Sequence, residues 1–78
     1  MKKVIMYSTP DCPFCIRAKQ FFADNQVPVE AFDVSQDESK VDEMVKKSGQ
    51  MGVPVIDIEG QIIVGFDKER IKQALGLP

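Results

Sequence analysis

Both cysteines of the chain, Cys12 and Cys15, lie three positions apart in the stretch Cys12-Pro13-Phe14-Cys15. A short apolar run precedes them and a helical pattern follows, and a C-x-x-C pair in this setting is typical of dithiol redox or metal chemistry. A disulfide between such close positions would close a very small loop and would constrain the unfolded chain little. The spacing therefore favours a reactive or metal-binding pair over a structural bridge.

Metal binding is the main chemical alternative for this pair. Structural zinc needs four protein ligands, usually Cys and His, and the chain contains two Cys and no His. Zinc within one chain would need carboxylate ligands, and the lack of histidine also excludes a Cys–His hydrolase. We predict no metal ligands in the single chain, whereas a dimer that shares four cysteines around zinc or an iron–sulfur cluster stays open.

Composition and charge narrow the classes of function further. The length suits one small domain, residues 1–78, with an ordinary 44% of hydrophobic and 28% of charged residues. A net charge of −2 without a basic stripe argues against binding of nucleic acid. No segment approaches the roughly 20 apolar residues of a membrane span, and no secretory signal pattern is found at the start. We expect a cytoplasmic monomer without a tightly bound cofactor and without a membrane partner.

Hydrophobic periodicity and turn residues predict seven elements. Strands are expected over residues 3–7, 27–34, 55–58 and 61–64, and helices over residues 16–25, 39–48 and 68–75, with Pro13 at the first helical position. The first two strands, joined by a helix, should be parallel, whereas the two-residue link before the fourth strand predicts an antiparallel hairpin. The order β-α-β-α-β-β-α therefore predicts an α/β fold with a mixed four-stranded sheet and helices on both faces.

The start of the first helix gives the two cysteines different roles. A thiolate is the nucleophile, and the unpaired amides and dipole of a helix N-terminus favour a negative charge on Cys12. Asp11 opposes this charge, but its carboxylate can turn to water whereas the amides are fixed. Cys15, one turn further in, should be less exposed and should resolve the mixed disulfide that Cys12 forms. Pro13 begins the helix, and Phe14 provides an apolar wall.

Two more stretches offer places for a substrate to bind. From Val53-Pro54 alone an ordinary trans proline is expected, because only about 5% of X-Pro bonds are cis. A cis bond is the alternative, and it would expose the Val53 backbone to an extended peptide. Gly65-Phe66-Asp67 reads as a turn and a helix cap, and the free helix N-terminus that follows is able to bind a carboxylate.

Taken together, these residues resemble the glutaredoxin family of the thioredoxin superfamily. Residues 4–15 are similar to the family's opening strand, turn and Cys-Pro-aromatic-Cys site. Val53-Pro54 is similar to its cis-proline signature, and Gly65-Phe66-Asp67 to its glycine-then-acid signature before the last helix. The resemblance covers nearly the whole chain, and it implies a thioredoxin-like fold with strand order 2-1-3-4 and a cis bond before Pro54.

The resemblance also implies an activity and a binding surface. It implies a thiol–disulfide oxidoreductase, a dithiol glutaredoxin, in which Cys12 and Cys15 reduce protein disulfides or glutathione mixed disulfides, with glutathione as co-substrate. The Val53 backbone would pair with the glutathione peptide, and the Phe66 backbone and Asp67 would hold its γ-glutamyl end. The full set of implied glutathione or substrate contacts is Pro13, Phe14, Gln50, Val53, Pro54, Phe66 and Asp67.

The sequence departs from the family pattern around this surface. Thr9 and Gln50 stand where many glutaredoxins carry basic residues, and Gly52 and Phe14 stand where threonine and tyrosine are usual. The missing cations would bind the glycine carboxylate of glutathione, so affinity should fall by about 0 to 1 kcal/mol per contact. In these departures the chain is similar to the small redoxins that are reduced by thioredoxin reductase and that serve ribonucleotide reductase.

Two questions of function therefore stay open at this point. The electron source is either glutathione with glutathione reductase or the thioredoxin reductase system. The remaining alternative to redox chemistry, besides a metal-binding dimer, is a thioredoxin-like binding module in which the C-x-x-C pair is incidental.

Overall fold

The computed structural model describes residues 2–77, which form four strands and three helices in the predicted order. The strands are β1 (Val4–Ser8), β2 (Val29–Asp33), β3 (Val55–Ile58) and β4 (Gln61–Val64). The helices are α1 (Pro13–Asp24), α2 (Glu38–Ser48) and α3 (Lys68–Leu75). Within residues 2–77, no helix combines the length and the apolar character needed to cross a membrane.

The strands form one mixed sheet in the order β2-β1-β3-β4, which confirms the predicted order 2-1-3-4. β1 runs parallel to β2 and antiparallel to β3, so Val4 pairs with Val29 on one side and with Ile58 on the other. The hairpin between β3 and β4 turns at Glu59 and Gly60, both of which have positive φ. β1 is therefore a central strand, as its apolar run predicts.

Helices α1 and α3 cover one face of the sheet. Because side chains alternate along a strand, Val4 and Met6 of β1 point to this face. They pack there with apolar residues of β3, β4 and both helices, a fully or nearly buried cluster of Val4, Met6, Ala18, Phe21, Phe22, Ile56, Ile58, Ile63, Ile71 and Ala74. Burial of each large apolar side chain contributes about 1.5 to 3 kcal/mol, so this layer is the main core and it fixes α1 to the sheet.

Helix α2 covers the opposite face. Tyr7 of β1 and Val55 of β3 point to this side and pack against Met44 of α2 and against Val34. The prediction of helices on both faces is thereby confirmed. The strand that carries the chain to the cysteines is held between two packed layers, so the position of its carboxyl end is well defined.

A polar cluster lies between α2 and the sheet. Lys47 Nζ donates to Asp57 Oδ2 and to the Tyr7 hydroxyl, both at 2.8 Å, and the Tyr7 hydroxyl donates to Glu43. Burial disfavours the charge of Asp57, but the hydrogen bonds from Lys47 and from the Gly60 amide hold the pKa of Asp57 below its usual value. Burial likewise disfavours the Lys47 ammonium, yet Asp57 and Tyr7 raise the pKa of Lys47 above its usual value.

The starts of α1 and β2 differ from the predicted ranges by more than one residue, and the other element bounds agree to within one residue. α1 begins at Pro13, which confirms the predicted first helical position, although the predicted helical range began only at residue 16; Cys12 is the N-cap. β2 begins at Val29 rather than at residue 27, because the Val27 amide donates to Phe22 O at 2.8 Å and so closes the end of α1. Both differences lie at an end of α1, where residues outside the predicted helix either belong to it or hydrogen-bond to it.

Candidate active site

Cys12 lies at the N-cap of α1, after the turn that follows β1. Its backbone is extended, and its Sγ accepts a hydrogen bond from the Cys15 N–H at 3.1 Å. Pro13 occupies the first helical position, where its lack of an N–H leaves no amide unsatisfied. The half-buried Cys12 residue therefore lies at a helix start, and the amide that contacts its sulfur is the Cys15 N–H.

Cys15 lies one turn inside α1 and is 1% exposed. The pKa of Cys15 is raised to about 11, mainly by burial and secondly by the neighbouring Cys12 sulfur. Both cysteines are free thiols. At neutral pH the inner thiol is therefore protonated, and the asymmetry expected from the helix start is present in the environment of the two sulfurs.

The Val53–Pro54 peptide bond is cis. The implication of the resemblance is confirmed here, and the expectation of a trans bond from the local residues alone is wrong. The Val53 carbonyl oxygen lies 3.9 Å from Cys12 Sγ, and the Pro54 carbonyl accepts from the Gly65 N–H at 2.8 Å. The fold thus brings the three stretches singled out in the sequence into one region: Cys12 next to Val53, and Pro54 next to Gly65.

Phe66 and Asp67 follow directly at the start of α3. Asp67 is the N-cap of α3, and its Oδ1 accepts from the Arg70 N–H at 3.2 Å, so the predicted capping role is confirmed. The partly buried Phe66 ring packs edge-on against Phe21 of α1 at a centroid distance of 5.9 Å. The contact with α1 fixes the start of α3, while Asp67 itself is exposed.

Gln50 turns back onto its own loop. Its Nε2 donates to Gly52 O at 3.0 Å and to Ser48 Oγ at 3.3 Å, and its Oε1 accepts from the Gly52 N–H at 2.5 Å. Both ends of the side-chain amide are thus used within residues 48–52. A contact between Gln50 and glutathione stays a prediction, and it would require these hydrogen bonds to break.

Large apolar side chains are exposed next to Cys15 in the sequence and two residues before Val53. Phe14 is 55% exposed, with the Arg17 guanidinium carbon 5.5 Å from its ring centroid, and Ile16 and Met51 are 58% and 71% exposed. Exposed apolar side chains that form a contiguous patch are typical of contact surfaces. The sequence prediction did not name Ile16 and Met51 as exposed apolar residues of this region. For Ile16 the signal was available, because this apolar residue falls outside the inward apolar stripe of α1.

No cluster of three or more His, Cys, Asp or Glu side chains with the spacing of a metal site is found among residues 2–77. Cys12 Sγ accepts from the Cys15 N–H and lies 3.9 Å from the Val53 carbonyl oxygen, and the Cys15 thiol has a hydrogen bond with the Thr9 backbone. A half-buried thiol at a helix start with a buried second thiol three residues away is an arrangement compatible with thiol–disulfide exchange.

The family model described as Glutaredoxin matches residues 4–63, a range that includes both cysteines and Pro54. The chain belongs to the glutaredoxin family. A relative from Clostridium pasteurianum, an uncharacterized glutaredoxin-like 8.6 kDa protein in the rubredoxin operon, is 40% identical over 70 residues, which cover 90% of this chain and 93% of that protein. Glutaredoxin 3 of Escherichia coli K12 is 36% identical over 67 residues, which cover 86% and 81% of the two chains.

Solved structures agree with this assignment. The crystal structure of a mutant of the thioredoxin-like protein BC3987 superposes with a TM-score of 0.91 at 33% identity and covers 100% of both chains. The glutaredoxin of Methanosarcina mazei Go1 gives a TM-score of 0.85 at 28% identity and covers 96% of this chain and 79% of that one. The predicted thioredoxin-like, glutaredoxin-type fold is confirmed, and membership of the family supports oxidoreductase chemistry at the thiols.

Proposed function

We propose that this protein is a dithiol thiol–disulfide oxidoreductase that reduces protein disulfides or glutathione mixed disulfides. One observation carries the proposal: the Cys15 N–H donates to Cys12 Sγ at 3.1 Å, while the Cys15 side chain is buried and has its pKa raised to about 11. One sulfur is placed for attack, and the other is kept protonated directly behind it.

The reaction consists of two exchanges that balance. The Cys12 thiolate attacks one sulfur of the substrate disulfide, forms a mixed disulfide and releases the other sulfur as a thiolate that takes up a proton. Cys15 then loses its proton, attacks the Cys12 sulfur and releases the second substrate thiol. Two electrons have passed to the substrate, and an external thiol or a reductase must reduce the Cys12–Cys15 disulfide that remains.

The substrate is assigned to the surface beside the cysteines. The Val53 backbone, whose carbonyl oxygen is 3.9 Å from Cys12 Sγ, pairs with an extended peptide. The exposed Phe14 lines the same region, whereas the side chain of Pro54 is fully buried, so that its predicted contact would be through the backbone. The Phe66 backbone and Asp67 hold the γ-glutamyl end when glutathione is bound. Glutathione acts as a co-substrate, and no tightly bound cofactor is required because both electrons come from the two thiols.

The electron source is the finer part of the proposal. Glutathione with glutathione reductase is the first candidate, because the chain belongs to the glutaredoxin family. The second candidate is a thioredoxin reductase system, favoured by Thr9 and by a Gln50 side chain that is bonded to its own loop. Either system operates in the cytoplasm, where thiols are kept reduced.

The test is turnover of one disulfide substrate with two reducing systems side by side. The purified protein is supplied with glutathione and glutathione reductase in one assay and with thioredoxin reductase in the other, and NADPH consumption is followed. We expect turnover in at least one assay and none with Cys12→Ser. Full activity of Cys12→Ser, or no turnover in either assay, would overturn the proposal.

A further inference from the structure

The side chains of Ser48 and Gln50 hold the loop between α2 and β3, and the last residues of this loop lie next to Cys12. We propose that Gln50 is a positioning residue that pre-forms the Val53 backbone for an extended disulfide substrate, and that it works as a matched pair with Gly52. The inference rests on the proposed function, and it deepens that function by naming what shapes the peptide-binding wall.

The hydrogen bonds of Gln50 close a small ring around Gly52. The side-chain amide accepts from the Gly52 N–H at 2.5 Å and donates to the Gly52 carbonyl at 3.0 Å, so it holds both backbone groups of one residue. Ser48 anchors the ring to α2, because its Oγ lies 2.7 Å from Met44 O, 3.0 Å from Gln50 O and 3.3 Å from Gln50 Nε2. The orientation of Gly52, and with it the peptide that leads into Val53, is thereby tied to the last turn of a packed helix.

The position of the Gln50 side chain leaves no room for a side chain at residue 52. The φ of Gly52 lies outside the left-handed region in which Gly49, Gly60, Gly65 and Gly76 are found, so the backbone conformation does not require glycine. A Cβ at residue 52 would instead lie 2.7 Å from Gln50 Oε1, closer than Cβ atoms come to non-bonded heavy atoms. The atom in the way is the end of a flexible side chain, so an alanine at this position would displace the Gln50 amide and leave the backbone free to keep its path.

The consequence for the reaction follows from the next residue. The Val53 carbonyl oxygen lies 3.9 Å from Cys12 Sγ, and an extended substrate would add its main chain to this segment. A backbone that is already held in place loses less conformational freedom when a peptide binds. Gln50 therefore acts through Val53 on the binding of substrates that have a peptide backbone. A small disulfide without a peptide backbone does not pair with Val53, so its binding does not depend on Gln50 in this way.

The experiment is a double-mutant cycle with Gln50→Ala, Gly52→Ala and the double variant. For each protein, kcat/KM is measured with a peptide disulfide and with a small aromatic disulfide that has no amide groups, and the ratio of the two values is taken. Loss of the ring is expected to lower this ratio about three- to tenfold in each single variant, because about one net hydrogen bond is lost. The change should appear mainly as a higher KM for the peptide disulfide. In the double variant the ratio should fall no further, because both substitutions remove the same ring.

Three controls separate positioning from folding. Gln73→Ala on the exposed outer side of α3 is the matched glutamine variant, and its ratio is expected to equal that of the wild type. Gln50→Glu keeps an acceptor for the Gly52 N–H but loses the donor to the Gly52 carbonyl, so an intermediate ratio is expected. Unfolding in urea identifies any variant that is not folded, and Gln50→Glu then replaces it in the comparison.

The outcomes distinguish this inference from the proposed function. A wild-type protein that reduces neither disulfide would defeat the proposed function itself. If the wild type reduces both, but the ratio is unchanged in Gln50→Ala or the two substitutions add independently, then oxidoreductase activity stands and the positioning role of Gln50 is wrong. A larger effect of Gln50→Ala than of Gly52→Ala, with an additive double variant, would also overturn it, since direct contact of Gln50 with substrate predicts that pattern.

Discussion

Cys12 is the N-cap of α1 and Cys15 lies three residues further on inside the helix, yet their surroundings differ in the way that a two-step exchange needs. One sulfur accepts a hydrogen bond at the helix start, and the other is buried. The N-cap position of Cys12 and the burial of Cys15 were predictable from sequence, because capping, Pro at the first helical position and C-x-x-C spacing are local properties. The direction of the Gln50 side chain was not predictable, because it depends on the space above Gly52.

The raised pKa of Cys15 predicts a distinct pH dependence for its alkylation. At neutral pH this thiol is protonated and buried, so iodoacetamide should modify Cys12 and leave Cys15 largely unmodified. Modification of Cys15 should rise as the pH approaches about 11, because the thiolate fraction increases there. Peptide mass spectrometry after short exposures at stepped pH checks this, with Cys15 in Cys12→Ser as the control. Equal modification of the two cysteines at neutral pH would contradict it.

Asp67 combines a confirmed cap with a proposed contact to glutathione, and two substitutions separate these roles. Asp67→Ala removes the cap and should cost about 0.5 to 2 kcal/mol of stability. It should also raise KM for a glutathione mixed disulfide, with little effect on turnover linked to a dithiol. Asp67→Asn keeps a capping oxygen and should keep the stability, but it lacks the charge and should still raise KM. Steady-state kinetics and urea unfolding of both variants provide the test, and an unchanged KM in both would remove glutathione from this position.

At the scale of the elements, the helices and strands were predicted in order, and the errors fall at their ends. β2 begins two residues later than predicted, because the Val27 amide donates to Phe22 O at the end of α1. The cluster of Tyr7, Lys47 and Asp57 was also missed. Its sequence signal is Asp57, a charged residue within the apolar strand β3, whose partner on α2 becomes evident only once the layers are packed.

The cluster between α2 and the sheet predicts an unequal cost for two neighbouring lysines. Lys47→Met leaves the Asp57 carboxylate without its 2.8 Å partner and should cost about 1.5 to 3 kcal/mol, the range for hydrogen bonds to charged groups. Lys46→Met is the matched control, because Lys46 is the adjacent, exposed residue of α2 and should change stability by less than about 0.5 kcal/mol. The free energy of unfolding in urea gives both values. Equal costs for the two variants would show that the ion pair contributes nothing.

The same cluster predicts a loss of stability in acid. The pKa of Asp57 is lower in the folded chain than in the unfolded chain, so the unfolded chain binds more protons as the pH falls. The contribution of Asp57 is therefore complete above its unfolded pKa of about 3.9 and is lost as the pH falls below that value. Urea unfolding at stepped pH should show this decline in the wild type and a weaker decline in Asp57→Asn. A decline of the same size in both would assign the acid sensitivity to other carboxylates.

At the scale of the whole molecule, the sheet brings together residues that lie far apart in the sequence. It places the Val53 carbonyl beside Cys12 and bonds Pro54 to Gly65, although these residues are far apart in the chain. The fold class and strand order were predictable, because the pattern of elements and the resemblance agreed. The cis bond before Pro54 was accessible through the resemblance alone, since the local residues favour a trans bond.

The central claim is that Cys12 attacks and Cys15 resolves, and the stoichiometry of one reaction with an aromatic disulfide tests it most directly. The wild-type protein should release two equivalents of the coloured aromatic thiol and end as an intramolecular disulfide. Cys15→Ser should release one equivalent and retain a stable adduct, which intact mass and peptide mapping would place on Cys12. Cys12→Ser should react slowly at neutral pH. A stable adduct on the wild-type protein, or an equally fast reaction of Cys15 in Cys12→Ser, would contradict the account.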